Sequence, residues 1–232
     1  MTRVDEIADR VFRLSTPVSA PGFDFSFNQY LLVDDEPLLF HTGGRRLAGQ
    51  VADAIARVIP LDRLRWISFG HLESDECGGL NELLAAAPNA QPVVGRIAAR
   101  VSVGDMADRA PRALGDGEVL SLGTLRVRWI DAPHVPHGWE CGYLYEEVTG
   151  TLFCGDLFTQ PGTGDVALTE GDILGPSEDF RQPMDYYAHG PNTAATLARI
   201  AATEPETLAC MHGSAWRGNG GDLIRALAAA VA

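Results

Sequence analysis

Residues 70–80 read "GHLESDECGGL", Gly70 to Leu80, and place one imidazole and three carboxylates within six positions. In an extended segment alternate side chains fall on the same side. His71, Glu73 and Asp75 therefore project together just past the compact apolar strand expected over "LRWISFG", residues 64–70. Gly78-Gly79 allow a tight turn into a new helix close by. Such a segment can converge ligands on an ion. The competing reading is a capped helix start, with Ser74 or Asp75 as N-cap and the other charges solvated.

Three further fragments bear on that choice. "DAPHVPHGW" (131–139) carries His134 and His137 in a loop after an apolar strand. "TLFCGDLF" (151–158) ends a strong apolar strand on Asp156, an expensive position for a carboxylate unless it is paired or ligating. "ACMHGSAWRG" (209–218) places His212 at a strand end near the C-terminus. A single His after a strand is ordinarily a hydrogen-bonded loop residue. Four strand-end fragments, each bearing an acid or a His, point to a metal site.

The intervening chain reads as an α/β fold. "VFRLST", "FNQYLLVDD" and "PLLFHTG" predict three hairpin-like strands, and "RRLAGQVADAIARVI" (45–59) predicts a helix with Leu47, Val51, Ala54, Ile55 and Val58 on one face. Further helices are expected over "GGLNELLAAAP", "RIAARVS", "NTAATLARIAAT" and "DLIRALAAAVA". Strands are expected at "PVVG", in pairs over 117–133 and 141–156, and at "ETLACMHG". This order suits an αββα sandwich of two mixed sheets flanked by helices. No linker divides the chain, so 1–232 reads as a single domain. Residues 159–191, rich in Gly, Pro, Asp and Thr, read as an irregular lid over the site.

The formal charge of −13 excludes nucleic acid and anionic membrane as partners, which need basic patches. No apolar run is long enough for a transmembrane helix, and the N-terminus "MTRVDEIADRVFRL" lacks the apolar centre of a secretory signal. The expected location is the cytoplasm. Cys77, Cys141, Cys154 and Cys210 form no C-x-x-C pair that would mark a zinc knuckle or a redox motif.

Taken together, the four fragments resemble the metallo-β-lactamase superfamily, whose pattern is H-x-H-x-D-H followed by His, Asp and His. The resemblance spans "FNQYLLVDDEPLLFHTGG" to "MHGSAWRG". Here the positions are His71, Glu73, Asp75, Glu76, His137, Asp156 and His212. His137 is preferred to His134 because its separation from Asp156, 156 − 137 = 19, is closer to the family's spacing. H-x-E-x-D is similar to the version in flavodiiron proteins and their single-domain relatives, the oxygen-binding diiron proteins. "HGSAWRG" is similar to the ending of the flavodiiron core domain.

The resemblance implies one metal on His71, Glu73 and His137, a second on Asp75 and His212, and Asp156 bridging both. Glu76 stands where the family usually has a His: it ligates, hydrogen-bonds a metal-bound water, or caps the helix. Asp75, Glu76 and His134 are the candidates for a catalytic part, His134 by orienting a ligand if it is not a plain loop residue. His41 occupies the place of the family's "DTG" Asp and is read as holding the backbone near the metal loops. Trp139, Tyr186 and Tyr187 are candidate pocket walls, or ordinary packing.

Replacing His by Glu adds charge and a hard oxygen donor. That shifts the expectation from zinc hydrolysis to iron, with zinc or manganese as alternatives. The expected function is a non-haem diiron protein binding dioxygen, and nitric oxide by extension, as sensor, carrier or reductase. With no flavodoxin-like domain after His212, turnover would draw on an external reductase, and the resemblance implies a homodimer. The alternative is a dinuclear hydrolase in which a bridging hydroxide attacks an ester, thioester or lactone. All four Cys flank expected ligands: either small buried positions suit Cys, or thiols respond to oxidants made at the metal.

Overall fold

The computed structural model describes residues 1–231. Its strands are β1 (Arg3–Ala8), β2 (Val11–Ala20), β3 (Phe23–Leu32), β4 (Leu38–Phe40), β5 (Trp66–Ser68), β6 (Gln91–Gly95), β7 (Arg112–Leu114), β8 (Val119–Ser121), β9 (Arg126–Asp131), β10 (Gly142–Glu146), β11 (Thr151–Phe153), β12 (Leu168–Thr169), β13 (Thr207–Ala209) and β14 (Ala215–Arg217). They form two seven-stranded sheets, one ordered β1-β2-β3-β4-β5-β6-β7 and the other β12-β14-β13-β11-β10-β9-β8. The first is antiparallel through β4 and parallel from β4 to β7. The second is antiparallel except where β11 pairs β13 and β12 pairs β14. Both sheets are mixed, as the element order predicts.

Period-two alternation divides each strand between two cores. Tyr30, Leu32 and Phe40 point inward to meet Val127, Trp129, Leu144 and Phe153 of the other sheet. Leu31 and Leu39 point outward against the helices Ala48–Ala56 and Leu80–Ala86 through Val51, Ile55 and Leu83. On the opposite outer face Leu152 and Leu208 pack against Leu197 and Ile200 of helix Thr193–Ala201 and Ile224 and Leu227 of helix Gly220–Ala230. The layers are helix, sheet, sheet, helix. Truncating any of these fully buried leucines to Ala costs ~2–5 kcal/mol.

Three short strands, β1, β7 and β14, go beyond the sequence expectation, because runs of three to six partly exposed residues carry little alternation. The irregularity expected of 159–191 holds only in part. Besides β12, that segment contains the helix Leu174–Met184, closed by a left-handed Asp185. Glu178 and Arg181 pair on it, Nη2 to Oε2 at 2.7 Å. The Trp216 indole N–H donates to the Gly171 carbonyl at 2.9 Å and anchors the segment to β14.

One glycine sets where the sheets meet the site. A Cβ on Gly142 would lie 2.2 Å from the Trp129 ring. Only Gly lets β10 pass that indole and donate its Gly142 N–H to Gly70 O at 2.9 Å. The strand is thereby tied to the loop after β5.

Candidate metal centre

The loop after β5 is shaped by its own acids. Glu73, with extended φ −133° and ψ 152°, precedes the short helix Ser74–Cys77 and makes no side-chain cap bond. The N-cap position thus falls on Glu73 rather than Ser74 or Asp75, and its carboxylate is free to turn elsewhere. Glu76 accepts from the Gly70 and His71 amides at 2.9 and 2.7 Å. Glu140 accepts from the Leu72 amide at 2.9 Å. The backbone that carries His71 is held from both sides.

His71, Glu73, His137 and Asp156 each offer a donor atom within 4.8 Å of the others. Glu73 Oε2 lies 3.0 Å from His71 Nε2 and 3.1 Å from His137 Nε2. Asp156 Oδ2 lies 3.6 and 3.7 Å from the same two nitrogens. The other oxygen of Asp156 faces a second group: Oδ1 is 3.3 Å from His212 Nε2, which is also 3.3 Å from Asp75 Oδ2. All six residues expected from the sequence to meet do so, and Asp156 belongs to both groups.

Each ring is also backed by an acceptor. His137 Nδ1 donates to Tyr186 O and His212 Nδ1 to Ser26 O, both at 2.9 Å. His71 Nδ1 faces Glu76 Oε1 at 3.2 Å. A proton held on each Nδ1 leaves the Nε2 lone pair aimed into the cluster, the arrangement that metal-ligating histidines adopt.

The electrostatics agree. Burial, the largest single influence, disfavours charge on His71, yet the Glu76 charge and the hydrogen bonds with Cys141, Glu73 and Glu76 together overcome it and raise the pKa well above its ordinary value. His212 is raised to about 10, burial being overcome by Asp156 and Asp75. Hydrogen bonds from His137 and His71 hold Glu73 well below the usual carboxylate range. The cluster therefore demands positive charge, either as protons on imidazoles or as cations that displace them. Asp156 Oδ1 is moreover buried with no hydrogen-bond partner, so a cation there would satisfy it. The donor set fits a pair of metal ions.

Other expected residues fall differently. Glu76 is fully buried and turned away from the cluster, with Oε1 between His71 Nδ1 and His41 Nε2, each at 3.2 Å. It braces His71 from behind, so direct contact with a reacting group is corrected to positioning. His134 is an exposed loop residue in a left-handed turn, its amide bonded to Gly138 O. The expectation that it orients a ligand is not met. Trp139 is 57% exposed and lies outside the cleft, whereas Tyr186 lines it. Tyr187 is buried in the outer core.

Above the donors is a cleft of ≈ 230 Å³, walled by Phe23, Phe25, Phe180, Met184 and Tyr186. Phe25 packs on the His212 ring at 4.3 Å between centroids. Neither Phe25 nor Glu140 was anticipated. The alternation of "FDFSF" signals a strand but not which face meets the site.

A family model described as ODP family beta lactamase matches residues 25–213. The chain belongs to that family. The match to this ODP-family chain takes in all six donors. Among its relatives are the putative diflavin flavoprotein A 1 of Nostoc sp., 25% identical over 194 residues, and the rubredoxin-oxygen oxidoreductase of Megalodesulfovibrio gigas, 26% identical over 206 residues. Those alignments cover 81% and 83% of this chain but only 33% and 50% of the relatives' own lengths. In fold it is similar to the crystal structure of the flavodiiron protein from Giardia intestinalis, with TM-score 0.82 at 18% identity, covering 99% of this chain and 59% of that one.

Proposed function

We propose that this protein is a diiron oxidoreductase that binds and reduces dioxygen, or nitric oxide, with electrons from an external reductase. The observation that carries the reading is the division of Asp156, one oxygen toward His71 and His137 and the other toward His212. His71, Glu73, His137 and Asp156 would hold one iron, and Asp75, His212 and Asp156 the other. Relatives named as oxygen and nitric oxide reductases support the same reaction class. An iron pair bound there supplies reversible one-electron chemistry.

The chain's own side chains do the rest. Three carboxylates supply hard, anionic donors that favour the ferric state over zinc. Glu76, Tyr186 O and Ser26 O hold the three rings in the orientation that keeps each Nε2 free. Phe23, Phe25, Phe180 and Met184 make an apolar approach suited to a small uncharged gas and poorly suited to a hydrated ester or an anion. Sensing or carrying oxygen would use the same cleft without a regular supply of electrons.

Metal analysis of protein purified without added metal tests this reading, together with visible spectra recorded anaerobically and after air. About two irons per chain and an oxygen-dependent band are expected. Zinc alone, with esterase or lactonase turnover, would replace this reading with the hydrolase.

A further inference from the structure

Two thiols lie against each other, each two residues before one of the expected donors. Cys154 Sγ and Cys210 Sγ are 3.8 Å apart, and both residues are fully buried. The register of β11 on β13 explains the meeting. Phe153 pairs with Ala209 in parallel, so the next residues, Cys154 and Cys210, stand opposite each other. Both belong to the outer, helix-facing core, so both side chains leave the sheet on the same face. Neighbouring strands run ~4.8 Å apart, inside the ~4.4–6.8 Å Cα separation that a disulfide spans.

The pair is placed for electron transfer rather than for scavenging. Cys154 is two residues before Asp156 and Cys210 two before His212. Those two donors face each other at 3.3 Å. Each thiol is thus joined to the cluster by a short covalent path. Both sulfurs belong to fully buried residues, away from oxidants in solution. Cys77 and Cys141 are also buried, but each sits apart from another thiol, with its Sγ–H donating to a backbone carbonyl, Glu73 O at 3.2 Å and Val135 O at 3.0 Å.

We propose that Cys154 and Cys210 are a redox-active dithiol that gives two electrons to the adjacent metal cluster when dioxygen is the oxidant. The inference rests on the diiron reading above. The two S–H bonds break as the S–S bond forms, releasing two protons and two electrons. Dioxygen takes up both pairs and leaves as hydrogen peroxide, so that dithiol and dioxygen give disulfide and peroxide. A reductase restores the thiols by returning two electrons along the same short covalent paths that join them to the cluster, with two protons. The dithiol is a reserve of two electrons beside the site.

The test uses reduced, iron-loaded full-length chain with no external donor, exposed to dioxygen, quenched with an alkylating agent and analysed as intact mass and peptides. A loss of two hydrogens, about 2 Da, is expected, mapped to a Cys154–Cys210 link with Cys77 and Cys141 alkylated. Metal-free protein in the same oxygen keeps its mass, and so do C154A and C210A, whose folding is checked by circular dichroism. If a variant fails to fold, the wild-type peptide map decides. Alkylation of all four thiols alongside a growing visible band overturns the dithiol and leaves the diiron reading standing. Equal linkage in metal-free protein overturns it as a donor to the cluster. No band and no link overturns both.

Discussion

Glu76 Oε1 stands 3.2 Å from His71 Nδ1, with both residues buried beneath the cluster. The same carboxylate holds two backbone amides of the His71 loop and faces His41. Ligand orientation and loop shape therefore depend on one side chain.

Removing that brace should act on metal and fold together. Glu76→Ala leaves two buried amides and an imidazole without their acceptor, and a stability loss of about 3–5 kcal/mol is expected. Glu76→Gln keeps an oxygen for the amides but loses the charge. It should remain folded and bind metal roughly 10–100-fold more weakly. Denaturant unfolding and metal titration measure the two effects. Unchanged affinity in Glu76→Gln would refute the brace.

The two halves of the cluster should be separable by mutation. His212→Ala removes a donor from one group only, so retention of about one metal per chain is expected. Asp156→Ala removes a donor from both and should abolish stable loading. Metal-to-protein ratios after gel filtration give the answer, and equal retention by the two variants would contradict a shared Asp156.

Metal uptake should be linked to protons. His212 has a folded pKa of about 10 against an ordinary 6.5. In metal-free protein its imidazolium therefore contributes stability that is complete below about pH 6.5 and lost as pH rises through about 10. A metal must displace that proton, so loading near pH 8 should release protons, and apparent affinity should rise with pH across this window. Indicator-dye titration and unfolding midpoints at pH 6 and 10.5 check both signs.

Gly142→Ala tests the join between sheet and loop. Its Cβ would meet the Trp129 ring at 2.2 Å, and overpacking of about 1–3 kcal/mol is expected. The shift should also loosen the Gly142–Gly70 hydrogen bond and lower metal affinity. Thermal unfolding with and without metal would show both, whereas an unchanged melting temperature would mean the indole moves freely.

The six expected donors were legible as acids and histidines past the ends of apolar strands, and the resemblance to the metallo-β-lactamase pattern selected them: His71, Glu73 and Asp75 after β5, His137 after β9, Asp156 after β11, His212 after β13. The sandwich was legible from periodicity. His134 and His137 sit three residues apart in one loop; the family's spacing favoured His137, and the folded backbone supplies the physical reason: His134 is exposed, whereas the His137 ring is fastened to Tyr186 O. The same holds for Glu76. Its charge is visible in "GHLESDECGGL", but its direction depends on Gly70 N, His71 N and His41, which burial brings to it. Backbone carbonyls such as Ser26 O leave no mark on a sequence, and neither does the register that sets Cys154 against Cys210. Residue chemistry determined which atoms are able to bind metal. Tertiary packing decided where each lone pair points, because orientation is fixed by partners distant in the chain.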